Sequence, residues 1–152
     1  MTDFPPEDLS RHPGHLIRRA QQALNQVWGE EVSKTITSPQ FAVLNALLQE
    51  PNIDQRTFGY RVALDRSTVA EIVARLTARK LVYWNRHATD GRRKTIQLTA
   101  RGGRILQELI PRTHRMTHRL VGALDPAEQA ELLRLLTTMV RAHEGRGDCP
   151  YP

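Results

Sequence analysis

Four side chains recur on one face of a single helical segment: Ser67, Thr68, Glu71 and Arg75. Val69, Ile72, Val73 and Leu76 sit at i, i+3, i+4 and i+7, so they form the buried stripe of that helix. A step of 100° per residue then turns Ser67, Glu71, Ala74 and Ala78 outward, with Thr68, Ala70 and Arg75 flanking them. A surface of small residues lets a helix come close to a base-pair edge. Ser and Thr hydroxyls bond bases or phosphates, a Glu carboxylate accepts from cytosine N4, and an Arg fork reaches a guanine edge or a phosphate. Further on, His87-Ala88-Thr89-Asp90-Gly91 leads into three consecutive cations, Arg92, Arg93 and Lys94. Cations on a narrow projecting ribbon suit the minor groove, whose potential is strongly negative. The plainer reading of the same ribbon is turn chemistry at Asp90-Gly91, with charges that keep a strand edge soluble.

A second constellation lies near the N-terminus. His15, Arg18, Arg19 and Gln22 recur at i, i+3, i+4 and i+7 and share a helix face. Two arginines and a histidine can hold a carboxylate, the guanidinium supplying a bidentate fork. His15, Arg18 and Arg19 are therefore the candidate ligand-binding residues, against the reading of a solvated basic helix start. Other chemistry finds no residues to carry it. His114 and His118 are four apart, but Arg115 stands where a metalloprotease motif needs glutamate, and no third ligand is evident, so no metal or other cofactor is expected. The one cysteine, Cys149, excludes an internal disulfide and a Cys-based zinc finger. There is no G-x-S-x-G, no phosphate loop and no triad, so no catalytic residues are assigned and the chain is not read as an enzyme.

Charge begins to choose the partner, against the plainer reading of a solvated basic face with none. Of 22 Lys and Arg in the 152 residues, 12 fall between positions 53 and 104, with only 4 of the 16 acids. A compact basic segment inside a balanced protein is the footprint of a polyanion-binding surface, double-stranded DNA above all. At 39% hydrophobic and 25% charged, the chain reads as a soluble globular domain of ordinary size. Met1 to Glu7 is acidic and lacks an apolar stretch, so no secretory signal is expected. No run approaches the roughly 18 apolar residues of a membrane span, so no membrane partner is expected and a cytoplasmic location is.

The elements that must carry these residues follow from periodicity. Helices are expected over His15–Lys34, from Ser38 (as N-cap, with Pro39 first in the helix) to Pro51, over Asp54–Val62, and from Asp65 (N-cap) to about Arg79. Phe41, Leu44, Leu47 and Leu48 are the expected apolar face of the second. Leu81–Trp84 and Lys94–Leu98 are β-like and flank the Asp90-Gly91 turn. Helix returns at Ala100, and Pro111 is expected to kink or break it. Asp125-Pro126-Ala127-Glu128 opens a last helix rich in Leu132, Leu133, Leu135, Leu136, Met139 and Val140. The fold class is mainly α with a small β-hairpin: a winged helix-turn-helix flanked by N- and C-terminal dimerisation helices. Residues 1–152 form a single domain, with a DNA-binding lobe at 38–100 and a dimerisation lobe at 13–34 and 101–144. The terminal helices hold more apolar surface than the centre can cover, which points to a homodimer; the alternative is a monomer whose ends pack on its middle.

In these motifs the sequence resembles the MarR family of bacterial transcriptional regulators. The resemblance runs from about His15 to His143. It is carried by Ile53-Asp54-Gln55, Leu64-Asp65-Arg66-Ser67-Thr68-Val69, Arg75-Leu76, Leu81-Val82, Arg86, the Asp90-Gly91-Arg92 wing and Leu98-Thr99-Ala100-Arg101-Gly102. The resemblance implies a homodimeric repressor on a pseudo-palindromic operator, with Arg92 as the wing arginine. It also implies release by a small ligand, often an aromatic acid. Pro13-Gly14-His15-Leu16-Ile17-Arg18-Arg19 is similar to the subgroup regulating aromatic-acid and nicotinate-type catabolism. Where the family has glycine closing the recognition helix, this chain has Lys80, so the helix either keeps a left-handed cap at a cost of about 1 kcal/mol or ends differently. The competing function is a winged-helix protein-interaction module without sequence-specific DNA binding.

Overall fold

The computed structural model describes residues 8–51, 53–54, 64, 66–86 and 94–144. After a short 3-10 turn at Leu9–Arg11 come α1 (Pro13–Glu31), α2 (Ser38–Gln49), β1 (Ile53–Asp54), α3 (Arg66–Ala78), β2 (Val82–Arg86), β3 (Lys94–Leu98), α4 (Ala100–Val121) and α5 (Pro126–Glu144). The strands form one antiparallel sheet in the order β1-β3-β2, with Ile53 opposite Ile96 and Trp84 opposite Ile96 from the other side. The expected hairpin is therefore the larger part of a three-stranded sheet. Ile53–Asp54 pairs with β3 instead of opening a helix, because Ile53 buries its side chain beside Ile96 in the core. The remainder of the expected 54–62 helix, the Asp65 cap and the 87–93 tip lie outside the described residues.

Caps set the helix limits. Pro13 is inside α1, at its first position, where a missing N–H costs nothing. The helix ends at Glu31, before Lys34, because Val32 and Ile36 turn into the core and Ser33 Oγ accepts from the N–H groups of Thr35 (3.1 Å) and Ile36 (2.9 Å). The N-cap of α2 is Thr37, not Ser38. Its Oγ1 accepts from Gln40 N–H at 3.3 Å while Gln40 Oε1 accepts from Thr37 N–H at 3.1 Å, a reciprocal capping box. The buried face of α2 is Val43, Leu44 and Leu47, with Phe41 half-buried against it, while Leu48 is exposed and not part of it. The Asp125–Glu128 box at the start of α5 is present, with Glu128 N–H donating to Asp125 Oδ1 at 2.9 Å and Asp125 N–H to Glu128 Oε2 at 2.8 Å.

Pro111 does not break α4, which runs through it from Ala100 to Val121. The proline removes one N–H bond from an exposed part of the helix, while Leu109 and Met116, buried on either side, hold both halves against the core. That core joins Trp28, Val43, Leu44, Leu47, Val69, Val73, Leu76, Leu81, Val82, Ile96 and Leu106 across α1, α2, α3, the sheet and α4. Trp28 donates its indole N–H to Ile36 O at 2.7 Å and meets Phe41 edge-on at 5.5 Å.

Candidate nucleic-acid interface and ligand site

The outward face of α3 follows from its inward one. Val69, Ile72, Val73 and Leu76 are buried, as their spacing requires. Ser67, Ala70, Glu71, Ala74, Arg75 and Ala78 are exposed, and Thr68 is half-buried. Ser67 and Thr68 both hold partners within the chain. Glu71 and Arg75 form an ion pair one turn apart, each side chain more than three-fifths exposed. The face thus presents hydroxyls, three alanines and a carboxylate–guanidinium pair, a set that can hydrogen-bond base edges and phosphates without a bulky side chain to hold the helix away.

The helix is fixed at its C-terminal end. Lys80 has φ 58°, so it occupies the left-handed position that usually calls for glycine. Lys80 N–H donates to Thr77 O at 2.9 Å and Leu81 N–H to Leu76 O at 3.0 Å, the two bonds of a Schellman cap. Leu81 and Leu76, both fully buried, supply the apolar contact that goes with it. The left-handed cap is thus kept despite the lysine.

The same corner explains Leu98-Thr99-Ala100-Arg101-Gly102. Thr99 Oγ1 accepts from Gly102 N–H at 3.0 Å, capping α4, and lies 2.8 Å from Lys80 O and 3.2 Å from Leu81 O, its single hydroxyl proton serving both. A Cβ on Gly102 would lie 2.1 Å from Leu81 O, so only glycine permits this approach. The turn after α3 is thereby pressed onto the first turn of α4.

Lys94 is exposed at the start of β3, opposite Arg86 in the register. Arg92 and Arg93 lie outside the described residues. Arg66, which residue spacing did not single out, is exposed in the first turn of α3, one position before Ser67. Its place beside the expected cap Asp65 is the signal that could have found it.

The second constellation is only partly assembled. His15 is half-buried in the first turn of α1, and Arg18 Nη2 is 3.3 Å from its Nδ1. Arg18 and Arg19 are exposed, and among the described residues Arg19 has no ion pair or hydrogen bond. No group of three or more metal-ligating side chains occurs among the described residues, and none of their helices is long and apolar enough to cross a membrane.

The MarR family profile matches residues 34–93, from the α1–α2 loop to the hairpin. The HTH-type transcriptional repressor NicR of Pseudomonas putida is 31% identical over 95% of this chain and 92% of its own. The fold superposes on the PcaV transcriptional regulator of Streptomyces coelicolor, solved with its natural ligand, with a TM-score of 0.88 at 47% identity, covering 93% of this chain and 100% of that one. It also matches BpsR of Bordetella bronchiseptica, whose structure concerns regulation of DNA binding by 6-hydroxynicotinic acid. That match has a TM-score of 0.83 at 31% identity over 90% and 98% of the two chains. With full-length relatives above 30% identity, the recognition-helix face exposed and the Thr99–Gly102 corner in place, the chain belongs to the MarR family of transcriptional regulators.

Proposed function

We propose that this chain is a DNA-binding repressor that acts as a homodimer on a pseudo-palindromic operator and is released by a small aromatic carboxylate. The observation that carries the reading is the full-length likeness to PcaV, a ligand-bound transcriptional regulator. NicR, a repressor, and BpsR, tied to 6-hydroxynicotinic acid, support the same ligand class. In this reading residues 38–100 form the DNA-binding lobe. Ser67, Thr68, Glu71 and Arg75 enter the major groove, and Arg92, Arg93 and Lys94 follow the backbone or minor groove. Residues 13–34 and 101–144 form the dimerisation lobe. His15, Arg18 and Arg19 grip the carboxylate, with Arg19 the free fork. The protein performs no catalysis and works in the cytoplasm, where its DNA is.

The test is binding to the fragment upstream of its own coding sequence at two salt concentrations, with and without benzoate-type and hydroxynicotinate acids. Selective binding that weakens steeply with salt and is released by one acid supports the reading. Weak, salt-insensitive binding to every duplex tried overturns it in favour of a protein-interaction module. For the ligand site, Arg19→Ala should weaken the effective acid at least tenfold while leaving ligand-free operator binding within twofold. Unchanged release would remove Arg19 from the site.

A further inference from the structure

Three arginines converge on the junction between α1 and α2. Arg119 of α4 pairs with Glu30 at 2.6 Å and Glu31 at 2.7 Å. Arg112, two turns earlier on α4, donates to Val32 O at 3.3 Å. Arg79, just past the last turn of α3, donates from Nη1 to Thr35 O at 2.7 Å. The junction is itself stiff. Ser33 Oγ gathers two backbone N–H groups, Trp28 bonds Ile36 O, and Val32 and Ile36 are buried. The carboxyl of Glu30 is held below its usual pKa by hydrogen bonds from Gln26 and Arg119 and by the Arg119 charge. The segment 30–36 is therefore a fixed knuckle that α4 grips from one side and α3 from the other.

The consequence lies in how a helix is aimed. At its C-terminal end, α3 is already tied to α4 through Lys80, Leu81, Thr99 and Gly102. Its buried stripe of Val69, Ile72, Val73 and Leu76 packs it into the core, and apolar packing is not directional. Arg79 adds a directional bond that ties the end of α3 to a knuckle that α4 also holds. It belongs to the turn closing the end of α3 opposite Ser67 and Thr68, so its guanidinium serves the fold rather than a base pair.

The geometry points to Arg79 as a positioning residue that sets the angle at which the recognition helix meets DNA, by locking it to the 30–36 knuckle. This rests on the DNA-binding reading above. A planar guanidinium bonded to a carbonyl is directional, so its removal should loosen aim rather than charge. The two effects separate cleanly. Operator affinity depends on aim, whereas affinity for a random duplex and its salt slope count phosphate contacts.

The experiment uses the full-length chain, a duplex enriched by selection from a random library, and a scrambled duplex, titrated across salt. Arg79→Gln should weaken the selected duplex about tenfold, leave the scrambled duplex within twofold and keep the salt slope. Arg79→Lys, which retains a charged donor, should recover at least half of the loss on a logarithmic scale and covers the case in which the glutamine variant fails to fold. Equal losses on both duplexes with a slope smaller by about one would make Arg79 a phosphate contact and overturn the inference. Wild-type selectivity in Arg79→Gln would overturn it as well. If the wild-type chain itself yields no selected duplex, the DNA-binding reading fails first, and this inference falls with it.

Discussion

On the exposed face of α3 the carboxylate of Glu71 already has a partner, and this shapes what Arg75 does before DNA arrives. An exposed i,i+4 pair contributes only about 0.3–0.5 kcal/mol to the helix, so its value is orientation rather than stability. Held along the helix, the Arg75 guanidinium is not spread toward phosphates. Glu71→Gln should release it. Affinity for random duplex should rise and the salt slope steepen by about one phosphate contact, while preference for the selected site falls; anisotropy titrations at several salt concentrations would read this out. An unchanged slope would mean that Arg75 already spends its charge on phosphate. At Lys80 the backbone, not the side chain, is under demand. Lys80→Gly removes the cost of a Cβ in the left-handed region and should raise unfolding free energy by about 1 kcal/mol, seen as a higher denaturant midpoint with an unchanged m-value.

The elements meet most tightly where β3 runs into α4. Gly102→Ala would drive a methyl into the Leu81 carbonyl and push α4 from the end of α3. It should cost about 1–3 kcal/mol in a melt and weaken specific DNA binding by more than the unfolded fraction explains. Much of this architecture was readable beforehand. The Val69-Ile72-Val73-Leu76 stripe, both strands of the hairpin and the Asp125–Glu128 capping box follow from periodicity and cap chemistry. What failed to show was nonlocal. Two residues of β1 carry no periodicity, and only pairing with Ile96 and Thr95 makes them a strand. The α2 start slipped by one because Ser38-Pro39 and Thr37-x-x-Gln40 are both legitimate openings, and only the reciprocal bonds decide. Arg79 looked like one more cation of a basic segment. Its acceptor, Thr35 O, is a backbone atom 44 residues away that no side-chain pattern announces.

In the whole molecule, α5 is an apolar helix with little to lean on. None of its described residues is buried in the single chain; Leu133 is 68% exposed, and Leu135, Leu136, Met139 and Val140 are all substantially so. At the other end of the chain, Leu16 and Ile17 of α1 are nearly half exposed. Apolar surface of this extent on terminal helices is what a second copy covers. Leu136→Asp should convert the dimer to monomer in sedimentation velocity and abolish cooperative occupation of a two-half-site operator. The core of the 38–100 lobe should stay folded, since none of it rests on Leu136. A dimer that survives the aspartate would place the interface elsewhere.

The bare face of α5 also ties the protein's lifetime to its abundance. A chain whose terminal helix is covered only by another copy has no fixed melting temperature. Dilution uncovers the leucines, and the midpoint falls as concentration falls. Below the dissociation constant of the dimer, α5 is an exposed helix that frays and offers its backbone to proteases, so scarce copies are cleared faster than plentiful ones.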